Sequence, residues 1–315
     1  MSTLGMRSLA LSALVLAAIL LSACARARVT TQIQRDGSAV RTIVLTGQVK
    51  KDGMQTPTVE DTFVIPSGAG WKSSENKKDD NQVQTFERQW PADAHVRGDV
   101  SIKANQPGKL RLTNEVSIKR IAPHQFEYRE VLQWKGDPTK VLGDVQPADL
   151  AEIKSHLPAQ LATDANARAL AAKVAEAAIP VLFGPGDPLL AIGFLHPDLA
   201  LYRANQRLGG LMTKALEQQF GDKMQLAERR EVARRLIEAT FTSSKMSKPD
   251  PTGAGATPSS SNSGLTPLMF IVKSPGRIVS SNGETDELSG EVFWAFFEEA
   301  ASFKELVLTA VVEVN

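Results

Sequence analysis

Residues 110–134 read LRLTNEVSIKRIAPHQFEYREVLQW, and this stretch decides the fold class. Its first half alternates apolar and polar residues with a period of two, which is the pattern of a strand with one wet face. Pro123-His124 supplies a turn, and the second half resumes the same period. The residues predicted to point inward are Leu110, Leu112, Val116, Ile118, Phe126, Tyr128, Leu132 and Trp134. The stretch therefore predicts a hairpin of an antiparallel sheet.

A second hairpin is predicted over residues 26–49, because Asp36-Gly37 suits a two-residue turn that needs positive φ at both positions. Centring the turn there pairs Ile33 with Val40 and places both on one face. In this register Arg41 falls on the opposite face. Since side chains alternate along a strand, a slip of one residue would exchange the two faces.

Three further patterns precede and follow the first hairpin. Residues 58–65 predict a short strand, the polar run 73–81 an exposed loop, and residues 83–90 another strand. After residue 146 the apolar spacing becomes helical, and Pro147 suits a first helical turn. Thr163 or Asp164 is predicted to cap an alanine-rich helix.

These patterns predict an α+β fold, in which an antiparallel sheet from the N- and C-terminal parts carries a helical insertion packed on one face. The rival arrangement keeps the parts separate, but three or four C-terminal strands alone would make a poor domain. The predicted parts are a signal peptide (1–23), an N-terminal β part (24–145), the helical insertion (146–247), a disordered linker rich in Pro, Ser and Gly (248–266) and a C-terminal β part that completes the sheet (267–315).

The first part ends in an apolar run, residues 9–21, followed by Ser22, Ala23 and the only cysteine, Cys24. At about 1.5 Å per residue, the run is too short to span a bilayer core of roughly 30 Å. Leu21-Ser22-Ala23-Cys24 resembles the lipobox of bacterial lipoproteins. The resemblance implies cleavage before Cys24, acylation of that residue with palmitate-type chains, and a membrane-anchored protein of the bacterial cell envelope. The alternative is an ordinary secretory signal in which Cys24 is incidental.

Ala25 follows the cysteine where aspartate would favour retention in the inner membrane of enteric bacteria. The expected location is therefore the outer membrane, facing the periplasm, if the bacterium has one.

The C-terminal part carries a second resemblance. Pro275-Gly276-Arg277-Ile278, Ser281-Asn282-Gly283 and residues 290–294, which read GEVFW, follow each other in the order seen in LppM-like lipoproteins of unassigned function. The resemblance covers roughly residues 267–315. It implies a lipid-anchored, β-rich domain with an apolar ligand cavity and no known chemistry. The long helical insertion departs from the compact form of that group.

Composition and motifs argue against several classes of function. A net charge of +1 gives no electrostatic case for nucleic acid. With Cys24 carrying a lipid, no thiol is left for a disulfide or a metal site. The four histidines are scattered, and no nucleophile elbow surrounds a serine. Glu298-Glu299 ends an aromatic strand and is predicted to be a solvated pair. We therefore expect no enzyme, no cofactor and no metal.

The remaining expectation is a binding protein that holds an apolar or lipid-like ligand between sheet and helices. Trp90, Trp134, Trp294 and Phe296 are the candidate ligand-binding residues, and their alternative role is core packing. A second hypothesis is a structural or assembly lipoprotein whose helical insertion binds a protein partner. The identity of that partner is not indicated by any motif.

Overall fold

The computed structural model describes residues 25–49, 58–78, 81–104, 108–136, 147–182, 197–243, 266–286 and 289–314. The chain divides into two compact units, one rich in strands and one made of helices. The α+β class predicted from the sequence is confirmed. Cys24 and residues 248–265 of the predicted linker lie outside the described residues.

The strand-rich unit is a sandwich of two sheets. Sheet A has the order β10-β11-β8-β1-β2-β4-β3, and sheet B the order β5-β6-β7-β12-β9. The strands are β1 Ala25–Ile33, β2 Ala39–Gln48, β3 Lys72–Lys78, β4 Asn81–Trp90, β5 His95–Lys103, β6 Leu110–Ala122, β7 Gln125–Trp134, β8 Pro267–Lys273, β9 Arg277–Ser281, β10 Glu284–Asp286, β11 Glu291–Phe297 and β12 Leu306–Glu313.

The C-terminal strands complete both sheets, as the sequence predicts. β8 pairs with β1, and β12 pairs with β7. Two details differ from the expectation of one antiparallel sheet. The strands are divided between two sheets, and the β1–β8 pair is parallel. A single core cluster holds inward-facing side chains of both sheets.

The β6–β7 hairpin is confirmed. Leu112, Ile118 and Phe126 are buried, and His124 takes a positive φ of 61° in the turn. Ile118 pairs with Tyr128 across the two strands. This hairpin supplies the centre of sheet B.

The predicted register of the β1–β2 hairpin is wrong by one residue. Ile33 pairs with Ala39 rather than Val40, so the connection spans residues 34–38. Asp36 Oδ1 accepts a hydrogen bond from the backbone N of Ser38 at 2.9 Å, which holds this wider loop. Gly37 has a φ of 88°, and a Cβ there would lie 2.2 Å from Phe126 Cε1. Because the register shifts by one, Arg41 points into the core.

Two local predictions between the hairpins are also wrong. Residues 58–65 contain a single helical turn, α1 Val59–Thr62, which Thr58 and Asp61 stabilise as a capping box. The run predicted as a loop forms β3, an edge strand paired with β4. β3 has no alternation of apolar and polar residues, because residues 72–77 are exposed on both faces of the strand. Apolar periodicity therefore does not reveal this strand.

The helical unit has a hydrophobic core of its own. Its helices are α2 Pro147–His156, α3 Asp164–Leu182, α4 Pro197–Phe220 and α5 Leu226–Ser243, with a 3₁₀ helix Gly221–Lys223 between the last two. Pro147 begins α2 as predicted, and Thr163 Oγ1 accepts a hydrogen bond from Asn166 N at 3.2 Å, which makes Thr163 the cap of α3. None of the helices in the described part of the chain is long and apolar enough to cross a membrane. The predicted packing of these helices on one face of the sheet stays a prediction.

Candidate functional site: a buried polar cluster and a buried acidic pair

The sandwich has a proximal end and a distal end. The proximal end is where β1 begins, and it also contains Trp134 at the end of β7 and Thr266 before β8. Residue 136 and Thr266 are the described residues of the strand-rich unit that flank the helical unit in the sequence. The distal end contains the loop of residues 34–38 and the turn at His124.

Six polar side chains are buried together between the sheets, and we call them the Arg41 cluster. Its members are Thr31, Arg41, Asp99, Asn114, Tyr128 and Glu130. Arg41 is 0% exposed. Its Nε donates to Asp99 Oδ2 at 3.0 Å, and its Nη2 donates to Glu130 Oε1 at 2.8 Å. Its Nη1 donates to Thr31 Oγ1 at 2.7 Å and faces Tyr128 and Glu130 as well.

The side chains of the cluster form hydrogen bonds with one another. Asn114 Nδ2 donates to Asp99 Oδ1 at 2.5 Å and to Glu130 Oε1 at 2.6 Å, and its Oδ1 accepts from the backbone of Val100. Tyr128 donates its hydroxyl to Glu130 Oε2. A buried ion pair is tolerated when its remaining donors and acceptors are also satisfied. The cluster therefore fixes how the two sheets face each other, and it offers no free group for chemistry.

The charge of Arg41 and the hydroxyl of Tyr128 do not change near neutral pH. Burial disfavours the charge on Arg41, but Asp99 and Glu130 favour it more strongly, and the pKa of Arg41 lies well above its ordinary value. Burial, with Glu130 adding to it, raises the pKa of Tyr128 well above its ordinary value. Tyr128 consequently stays a hydroxyl that can donate.

Aromatic rings enclose the Arg41 guanidinium. Arg41 Cζ lies 5.3 Å from the centroid of the Trp90 ring and 5.9 Å from that of Phe270. Contacts of this kind between a desolvated guanidinium and a ring contribute about 2 kcal/mol. Trp90 is thus occupied by a core contact, although its buried Nε1 has no hydrogen-bond partner.

The other three predicted ligand residues lie at different places in the sandwich. Trp294 stacks on Tyr128 with centroids 6.0 Å apart, and its Nε1 donates to Asn282 Oδ1 at 3.0 Å. Phe296 stacks on Phe270 at 5.7 Å. Trp134 is half-buried at the proximal end, with an unpartnered Nε1. All four predicted residues therefore lie in the core or pack against it, and their assignment to a ligand stays a prediction.

The prediction that Glu298-Glu299 is solvated is wrong. Both residues lie in a 3₁₀ helix, Glu298–Ala301, at the proximal end, where they are 0% and 8% exposed. Arg111 Nε donates to Glu298 Oε2 at 3.1 Å, and Arg111 Nη2 forms an ion pair with the other oxygen. The backbone N of Glu298 donates to Thr266 O at 3.2 Å. Glu299 Oε2 is buried without a hydrogen-bond partner.

One arginine does not compensate two buried carboxyl groups. Burial raises the pKa of Glu298 to about 8, with Glu299 adding to the rise and Arg111 opposing it. Burial also raises the pKa of Glu299. Glu298 therefore holds a proton near neutral pH, beside Thr266 at the proximal end.

The raised pKa of Glu298 predicts that stability falls as the pH rises from 4.5 to about 8. In this window the folded state keeps a proton that the unfolded state has released, so the free energy of unfolding falls by up to about 1.4 kcal/mol per pH unit. The stabilisation is fully present below pH 4.5 and is lost as the pH rises through about 8. Urea unfolding over this range measures the slope.

The matched control is Glu298→Gln, which keeps the size and a hydrogen-bonding oxygen but cannot titrate. The difference in slope between the two proteins isolates the contribution of Glu298 from those of the other titratable groups. Identical slopes for the two proteins would contradict the prediction.

Sequence reasoning missed the Arg41 cluster, although one signal for part of it was present. Asn114 lies between Leu112 and Val116, and Glu130 lies between Tyr128 and Leu132, so both occupy core positions of their strands. A polar residue at a core position indicates a buried partner. Within the described ranges, no group of three or more His, Cys, Asp or Glu residues is arranged to hold a metal ion.

Comparison with known proteins finds no matching family model, no matching curated protein and no matching solved structure.

Proposed function

We propose that the chain is a lipid-anchored lipoprotein of the bacterial cell envelope without a catalytic role. Residues 1–23 are the signal peptide, and Cys24 carries the lipid. The anchored protein faces the periplasm, on the outer membrane where the cell has one. The observation that carries the proposal is that β1 begins at Ala25, directly after the predicted lipidation residue.

The position of β1 gives the anchor a mechanical role. β1 is an interior strand of sheet A, paired with β2 on one side and β8 on the other. One extended residue spans at most about 3.6 Å. A lipid on Cys24 would thus hold the proximal end of the sandwich against the membrane surface without a linker. Two or three acyl chains, at roughly 0.8 kcal/mol per buried methylene, make such attachment durable.

Non-enzymatic binding is supported by the internal contacts that the polar and aromatic side chains of the sandwich make. The Arg41 cluster uses its hydrogen-bonding groups internally, and Trp90, Trp294 and Phe296 contact core residues. We propose an apolar or lipid-like ligand as the cargo. Trp134 is the candidate that reaches the surface, since its side chain is only half-buried.

The second candidate is an assembly role in which the helical unit binds a protein partner. It is favoured by the separate core of that unit, which gives the insertion a structure of its own. Leu226, at the start of α5, is also exposed.

The proposal predicts the intact mass of protein extracted gently from its membrane. We expect a chain beginning at Cys24 with acyl mass added, because cleavage and acylation occur at the same residue. A Cys24→Ala variant is expected to lack the acyl mass. Native mass spectrometry of the same sample distinguishes the two candidates, since a co-purifying lipid supports the ligand role and a stoichiometric protein supports assembly. A soluble, unmodified wild-type chain would overturn the proposal.

A further inference from the structure

The proximal end of sheet B presents one lysine on or beside each of four adjacent strands, and we call these the lysine row. Lys103 ends β5, Lys109 precedes β6, Lys135 follows β7 and Lys304 lies two residues before β12. These four strands are neighbours in the order β5-β6-β7-β12. Sequence reasoning did not find the row because its members are far apart along the chain.

The strand register places the four lysines close to one level. Lys103 pairs with Leu110, the residue after Lys109, and the backbone N of Lys135 donates to Arg111 O at 2.8 Å. Leu132 pairs with Leu306, which puts Lys304 opposite residue 134. Adjacent strands lie about 4.8 Å apart, so the row extends over about 15 Å.

The row is open to solvent, and its four lysines outnumber the exposed acidic residues near it. All four lysines are exposed, and no ion pair joins any of them to another described residue. Lys135 Nζ donates to the neutral Gln133 Oε1 at 2.8 Å. Exposed acidic residues near the row are Glu60, Asp61 and Glu305, whereas Glu298 and Glu299 are buried. The net charge of the exposed residues at this edge is therefore positive.

We propose that the lysine row binds the anionic phospholipid headgroups of the membrane that holds Cys24. The inference rests on the proposed function, since Cys24 adjoins the same end of the sandwich. A straight row at the end of a sheet fits a flat charged surface better than an enclosed ligand. A lysine near an anionic membrane contributes about 1 kcal/mol within a Debye length of about 8 Å. The lipid on Cys24 thus attaches the sandwich to the membrane, and the lysine row orients it there.

The experiment uses the mature chain with Cys24→Ala, so that the row is measured without the anchor. Binding is measured by sedimentation with vesicles of phosphatidylcholine, with and without phosphatidylglycerol. We expect binding only to the anionic vesicles, and weakening as salt rises. The Lys109→Gln/Lys304→Gln variant is expected to bind about 30-fold more weakly, since two lysines contribute about 2 kcal/mol together.

The matched control is Arg35→Gln/Lys119→Gln, which removes the same charge from exposed residues towards the distal end. It is expected to bind within twofold of the parent chain, and equal urea midpoints exclude a folding defect. Equal losses in both variants, or equal binding to both kinds of vesicle, would overturn the inference. Heparin binding as tight as vesicle binding would overturn the lipid assignment.

The two proposals fail in different ways. Vesicle binding by the Cys24→Ala chain does not depend on acylation. A negative result would therefore overturn the role proposed for the lysine row, but not the proposed lipid anchor. An unmodified Cys24 in the membrane extract removes the anchor, whatever the vesicles show.

Discussion

Replacing Arg41 with alanine is expected to lower the free energy of unfolding by about 3–5 kcal/mol. The substitution leaves Asp99 and Glu130 buried between the sheets without their cation, and Tyr128 and Asn114 cannot replace its charge. It also removes the guanidinium from the rings of Trp90 and Phe270. Urea unfolding followed by tryptophan fluorescence measures the loss.

Arg28→Ala is the matched control for this measurement. Arg28 lies on the neighbouring strand β1 but faces outward and is exposed, so its removal should change stability by no more than about 0.5 kcal/mol. If Arg41→Ala cost no more than Arg28→Ala, the charges of the cluster would have to be stabilised by something other than the arginine. That result would contradict the structural role given to Arg41.

Replacing Trp294 with alanine is expected to cost about 3–5 kcal/mol, the usual range for a large aromatic residue in a core. The indole is fully buried, stacks on Tyr128 and bonds Asn282 through Nε1. Gly283 shows how closely it is packed, because a Cβ there would lie 2.5 Å from two atoms of the ring system. Thermal and urea unfolding of the variant measure the effect.

Trp294→Phe separates packing from hydrogen bonding at this position. It keeps an aromatic ring against Tyr128 but leaves Asn282 Oδ1 with only the backbone N of Thr309 as a donor. A loss clearly smaller than that of the alanine variant is expected, since one hydrogen bond contributes about 1 kcal/mol. Equal losses for the two substitutions would show that stacking contributes little.

The sequence was informative about strands that have one face exposed to solvent and the other face buried. The β6–β7 hairpin alternates so regularly that its strands, turn and inward residues could be predicted. The same alternation contains Asn114 and Glu130 at core positions, so these two of the six cluster members were predictable in principle. The alternation could not reveal the hydrogen-bonding partners of these two residues, because Arg41 and Asp99 come from other strands.

The errors have identifiable physical causes. Asp36-Gly37 indicates a tight turn, but the side chain of Asp36 closes a wider loop, and the shift of one residue carries Arg41 into the core. Asp99 lies in an irregular part of β5, where the register to β6 shifts after Arg97, so alternation fails there. Neither effect is visible in apolar periodicity.

The acidic pair was misread for a different reason. Glu298-Glu299 follows an aromatic strand and looks like its solvated end, but Thr266 and Arg111 meet it from two other segments. Burial of this kind is a property of the tertiary fold. The lysine row shares that origin, since only the strand order brings its four members together.

The parallel pairing of β1 with β8 has a consequence for how the chain matures. β1 is synthesised first, but one of its edges stays without its partner until β8 appears more than 200 residues later. At roughly 5–20 residues per second, that delay lasts on the order of tens of seconds. During this time β1 exposes an unpaired edge, which is a template for aggregation. Truncation before β8 would leave this edge of β1 unpaired permanently.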